Sequence, residues 1–130
     1  MQTRTFRFRF DPASLPLRAL GIWPSTCRVD VTETHLDVRF GPWSCRTLLS
    51  NVKDVRITRD YTALKAIGPR GSFADGGATF GTSTVGGVCI CFRRKVAALT
   101  PAAVHPALTV TVEDLEGLAA ELRARCDLQG

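Results

Sequence analysis

The sequence predicts a mainly β domain closed by one C-terminal α-helix. Apolar and polar side chains alternate at every second position through short runs from Thr3 to Val112, the period of half-buried strands. Glycine, proline and short polar clusters punctuate those runs at turn spacing. After Asp114 the apolar residues return at every third or fourth position instead, the period of a helix.

Thr3 to Phe10 sets Phe6, Phe8 and Phe10 against Arg7 and Arg9, which reads as a strand ended by Asp11-Pro12. Leu15, Leu17, Leu20, Ile22 and Trp23 follow in a stretch broken by Pro16 and Pro24, too punctuated for a helix, and it reads as a packed connector. Cys27, Val29 and Val31 alternate with Arg28 and Asp30. A polar Thr32-Glu33-Thr34-His35 turn then leads into Leu36, Val38 and Phe40 alternating with Asp37 and Arg39, a β-hairpin. Gly41-Pro42 turns the chain again, and Trp43 to Leu48 runs back. The Leu49-Ser50-Asn51-Val52 bend leads to Val55, Ile57 and Arg59, completing a meander of four strands.

Residues 68 to 87 hold seven glycines, and Asp75-Gly76 between Ser72-Phe73 and Thr79-Phe80 signals a further hairpin. Gly87 to Phe92 reads as a buried strand, Thr100 to Pro106 as a loop, and Leu108, Val110 and Val112 as the last strand. Asp114 is a good N-cap, and Leu115, Leu118, Ala119 and Leu122 form one apolar stripe. Arg123 and Arg125 fall in the last turn, where cations complement the helix dipole. Gly117 weakens the helix by about 1 kcal/mol relative to alanine.

A chain of 130 residues is of one-domain size and buries roughly two-thirds of its unfolded surface. Hydrophobic residues make up 45% and charged residues 22%, which favours neither a disordered nor a fibrous class. Met1 to Phe10 lacks the continuous apolar run of a signal peptide, so the expected localisation is cytoplasmic. The longest charge-free stretch, Val96 to Val112, is interrupted by Pro101 and Pro106 and predicts no transmembrane segment. Five cysteines without CxxC spacing point to reduced thiols rather than to a disulfide framework or a structural zinc site. Cys89 and Cys91 share one face of a strand, the spacing at which a soft metal or a redox pair comes under consideration.

The succession of hairpins running into one capping helix resembles the pleckstrin-homology-like fold, particularly its bacterial versions. The likeness rests on Val29 to Phe40 with its polar turn, on Leu48-Leu49-Ser50-Asn51-Val52 leading into Val55, and on Leu108 to Glu116 leading into the helix. It implies a curved antiparallel sheet, closed or nearly closed into a barrel, with the helix plugging one open end. The expected organisation is an N-terminal strand and connector, residues 1–26, packing on a pleckstrin-homology-like β domain, residues 27–130. Phosphoinositide-binding members carry a basic pattern across the first hairpin; here that turn is Thr32-Glu33-Thr34-His35.

Chemistry-bearing motifs are sparse. Gly81 to Gly86 has the outer spacing of a phosphate-binding P-loop, but Gly87 and Val88 stand where a lysine and a hydroxyl residue are required. His35 and His105 have no second ligand at metal spacing. No catalytic residue, cofactor or metal is expected. Net charge is +5 and lies in the first half, where residues 1 to 65 hold 11 Lys/Arg against 6 Asp/Glu.

Arg4, Arg7 and Arg9 interleave with phenylalanines, and Arg93-Arg94-Lys95 follows an apolar strand, giving two basic surfaces suited to a polyanion or an anionic membrane. A charge this modest and scattered aromatics do not suggest nucleic acid. The preferred ligand region is the glycine-rich stretch holding Lys65, Arg70 and Asp75, where backbone amides and two cations converge on an anion. The functional expectation is a non-enzymatic binding or protein-interaction module that takes an anionic ligand, a peptide or a membrane surface peripherally. The alternative is a small enzyme or ligand carrier with a cavity inside the β-scaffold.

Overall fold

A computed structural model describes residues 3–10, 12–59, 67–71, 78–82, 86–100 and 103–126. Strands β1 (Arg4–Arg7), β2 (Cys27–Val31), β3 (His35–Phe40) and β4 (Trp43–Leu48) form one antiparallel sheet in chain order. Strands β5 (Val52–Arg59), β6 (Ile67–Gly71), β7 (Ala78–Thr82), β8 (Gly86–Thr100) and β9 (Ala103–Val110) form a second, in the order β5-β8-β9-β7-β6. Helix α1 (Leu115–Arg125) follows. The mainly β fold with one C-terminal helix is therefore as the residue pattern predicts.

Alternation explains the first sheet directly. Phe6, Val29, Val38 and Cys45 are paired neighbours and are all buried, so one face of β1 to β4 is continuous core. The second sheet turns Val55, Ile90, Leu108 and Ala78 inward along one row. The two inner faces meet through aromatic rings. Phe40 lies 5.0 Å from Phe80 with the planes 4° apart, and Phe8 lies 5.4 Å from Phe40 with the planes tilted by 45°.

The sheets do not close into a single barrel; they form a curved sandwich, joined at one side by the N-terminal segment. Phe8 bridges to Val112, Arg9 N–H donates to the Thr111 carbonyl at 2.9 Å, and Glu113 N–H donates to the Arg7 carbonyl at 2.9 Å. On the other side Asn51 imitates a strand. Its Nδ2 donates to the Arg94 carbonyl at 3.0 Å, and its Oδ1 accepts from Arg94 N–H at 2.8 Å.

Three local expectations are corrected. Residues 100 to 106 do not form a loop throughout, because β8 runs to Thr100 and β9 begins at Ala103. Pro106 is accommodated where the ladder is irregular, between the pairs Cys91–Ala107 and Val96–His105, a place where the missing N–H needs no partner. Arg93-Arg94-Lys95 lies within β8, which continues past Phe92, rather than after the strand. The second sheet is also not wholly antiparallel, since β7 runs parallel to β9.

Helix α1 buries the expected stripe, Leu115, Leu118, Ala119 and Leu122. The Asp114 carboxylate accepts the Gly117 N–H at 2.9 Å, and a side chain at position 117 would run into that carboxylate. The glycine thus leaves room for the N-cap. Arg123 and Arg125 do more than complement the dipole: Arg123 donates to the Val55 carbonyl at 2.9 Å, and Arg125 donates to the Thr32 carbonyl at 2.8 Å. They fasten the helix to both sheets.

Truncating Phe40 removes the ring that touches both Phe8 and Phe80. Phe40→Ala is expected to lower unfolding free energy by about 3–5 kcal/mol, measured by urea denaturation. A loss as small as that of an exposed substitution would show that the sheets are held together elsewhere.

Candidate functional site: an arginine row on the outer face of the four-stranded sheet

Residues that alternate with the core positions of β1 to β4 face away from it, and strand register lines them up. Arg7 pairs with Arg28, Arg28 with Arg39, and Arg39 with Ser44, so three exposed arginines stand side by side on adjacent strands. With strands about 4.8 Å apart, the row is about 10 Å long. The next row holds Thr5, Asp30, Asp37 and Arg46.

Asp30 is committed within the sheet, accepting from Thr5 Oγ1 at 2.7 Å and from Arg28 Nε at 2.9 Å. Arg7, Arg39 and Arg46 make no ion pair among the described residues. Five arginines, counting Arg9 beyond the end of β1, face two aspartates on this side of the molecule. Like charges directly opposite one another on neighbouring strands are destabilising. The face is basic at the expense of stability. Beside the row, Thr5, Arg7, Pro24, Ser25, Cys27 and Arg28 line an open cleft of about 480 Å³. Planar guanidinium forks at this spacing can grip carboxylate or phosphate groups in a bidentate manner.

The residues named from sequence fall in different places. Arg7 and Arg9 are exposed on the basic face. Arg4 is not part of it, because an even position of β1 lies on the side of Phe6. Its Nη1 meets Glu121 of α1 at 3.2 Å, and its guanidinium carbon lies 5.0 Å from the Phe6 ring centre. Arg93, Arg94 and Lys95 are exposed at the opposite end of β4, where Thr47, Leu48, Ser50, Asn51, Arg93 and Arg94 line a second cleft of about 420 Å³. The two basic clusters are therefore not brought together. Arg70 stands in β6 opposite Thr79, while Lys65 and Asp75 lie outside the described residues.

Arg28, Arg39 and Arg46 were not singled out from the sequence. The usable signal was the hairpin itself: pairing Val29 with Val38 through the Thr32–His35 turn places Arg28 against Arg39.

The thiols behind this sheet are quiet. Burial, with a smaller contribution from Asp37, pushes Cys45 up to about 12, and burial likewise raises Cys27. Cys89 and Cys91 share the outer face of the second sheet, opposite Arg56 and Asp54 respectively. Burial and the neighbouring Cys89 raise Cys91, so its thiolate is disfavoured. No group of three or more metal-ligating side chains occurs among the described residues. None of their helices is long and apolar enough to cross a membrane.

Compared with known proteins, the chain matches no family model, no curated protein and no solved structure.

The hydrogen bond from Arg4, supported by Arg125, holds the Glu121 carboxyl below its ordinary value. A depressed carboxylate stabilises the fold fully above its unfolded value, and that contribution is lost as pH falls through the depressed one. The urea midpoint of the wild type should therefore drop more steeply than that of Glu121→Gln between about pH 6 and pH 3, the two converging at the acid end. Parallel curves would mean that the Arg4–Glu121–Arg125 link contributes nothing.

Proposed function

We propose that this chain is a non-enzymatic binding module that takes an anionic partner on the outer face of its four-stranded sheet. The reading rests on one observation: Arg7, Arg28 and Arg39 are aligned on three neighbouring strands, and two of them have no ion-pair partner among the described residues. A face of this kind gains stability when carboxylates or phosphates enter it, because the repulsion between guanidinium groups is then relieved. The consecutive hairpins of the first sheet and the capping helix support a pleckstrin-homology-like reading of the scaffold, the parallel β7–β9 pair departs from it, and the binding face in this reading lies on strands rather than at the first turn.

The alternative of a carrier or enzyme with an internal cavity has less behind it. The space between the sheets is occupied by Phe8, Phe40 and Phe80. The two clefts above are open and superficial, and the one beside the row is lined chiefly by arginine, small polar residues and proline.

Labelled polyglutamate, followed by fluorescence anisotropy, supplies a simple anionic probe. Each charge-assisted contact is worth about 1.5–3 kcal/mol, so Arg28→Glu and Arg39→Glu should each weaken binding about tenfold or more. Arg94→Glu, at the far end of β4, should have a small effect. Equal weakening by all three substitutions, or none by any, would remove the row as the site.

A further inference from the structure

Of the five large apolar side chains exposed among the described residues, Leu48 and Val104 stand on strands β4 and β9, and the other three lie in the connector that leads into β2. Leu15, Leu20 and Trp23 are 55%, 51% and 44% exposed and fall within nine residues of one connector. The connector is firmly held. Ile22 between them is fully buried, the Thr26 hydroxyl accepts from Trp23 N–H at 2.9 Å and donates to the Gly21 carbonyl at 2.8 Å, and Gly41 N–H donates to the Thr26 carbonyl at 3.1 Å. At Gly41, with φ of 59°, a side chain would press on the Gly21 carbonyl and Ile22. The backbone around the exposed Trp23 is thus tied into the turn.

That turn sits at the end of the sheet where the row stands. Pro24 and Ser25 line the same cleft as Arg7 and Arg28, Gly41 directly follows the Arg39 strand, and the Arg18 guanidinium lies 4.6 Å from the centre of the Trp23 ring. The Trp23 end of the connector therefore adjoins the basic face.

We propose that this combined surface docks on an anionic lipid bilayer, with Trp23, Leu20 and Leu15 entering the headgroup layer while Arg7, Arg28 and Arg39 face the acidic lipids. The inference rests on the anionic-partner reading of the arginine row and assigns that partner. Tryptophan settles at the headgroup level, and basic residues beside it are attracted to the negative surface. Leu15, Leu20 and Trp23 belong to a short connector and do not line either of the clefts described. A fluid bilayer accepts protruding side chains without a matching groove, which an acidic peptide would need. Strand addition by such a peptide is also blocked at the C-terminal end of β1, where the edge from Arg7 to Arg9 is taken by residues 111 to 113.

The full chain is to be sedimented with vesicles of phosphatidylcholine alone and of phosphatidylcholine with phosphatidylserine, at low and high salt, with labelled polyglutamate titrated in parallel. Binding is expected to the anionic vesicles only and to weaken with salt. A blue shift of tryptophan fluorescence on binding should be lost in Trp23→Ala. The Arg28→Glu/Arg39→Glu variant should lose about tenfold or more of its vesicle affinity, and so should Leu20→Ser/Trp23→Ser, with thermal melting confirming that both remain folded.

Absence of vesicle binding, or vesicle binding untouched by Leu20→Ser/Trp23→Ser, overturns the membrane inference. If polyglutamate still binds through Arg28 and Arg39 in that case, the anionic face stands and a soluble acidic partner replaces the bilayer. If neither probe binds, both readings fall.

Discussion

Phe40 governs the architecture because its ring is shared. It lies against Phe80 of the opposite sheet and against Phe8 of the N-terminal segment, so three separated pieces of chain converge on one side chain. Fixing its direction fixes the pleat of β3, and strand pairing passes that choice to β2, β1 and β4. A slip by one residue would bury the arginines and expose the valines. The basic face is thus a consequence of the core, and its register is protected by all the apolar area behind it.

The outer face shows what this arrangement costs. Arg28 is partly neutralised by Asp30, its near neighbour along β2, whereas Arg7 and Arg39 flank it across the strands without ion pairs among the described residues. A sheet selected only for stability would place opposite charges in those positions. The exposed Trp23 and Leu20 add a second departure at the same end of the molecule. Polar repulsion and apolar exposure side by side are both relieved by one kind of surface, negatively charged and oily beneath.

Most strands were readable because their alternation is local. Arg28 and Asp30 between Cys27, Val29 and Val31 already declare which way each side chain points. The helix was legible for the same reason, and Asp114 marks its start in sequence as in space. Where a residue's role depends on something distant, the pattern fell silent. Arg4 looked like a member of the basic strand face, yet it faces α1 because Glu121 lies within reach only after the chain has folded back. Pro101 and Pro106 suggested a loop, and only the irregular pairing of β8 with β9 shows how a strand accommodates Pro106. The connector read as packed; Ile22 is packed, while Leu15, Leu20 and Trp23 are exposed, and the Thr26 hydrogen bonds to Trp23 and Gly21 that close its turn are ones no periodicity reveals.

By itself, then, the sequence determined the class of fold, the inward and outward sides of the first three strands, and the single closing helix, since each follows from side-chain spacing along a short run. Only the tertiary structure decided that three arginines form a row and that an apolar turn borders it. Cross-strand register and the docking of the connector on the Gly41 turn are relations between residues far apart in the chain, and they exist only once the core has brought those residues together.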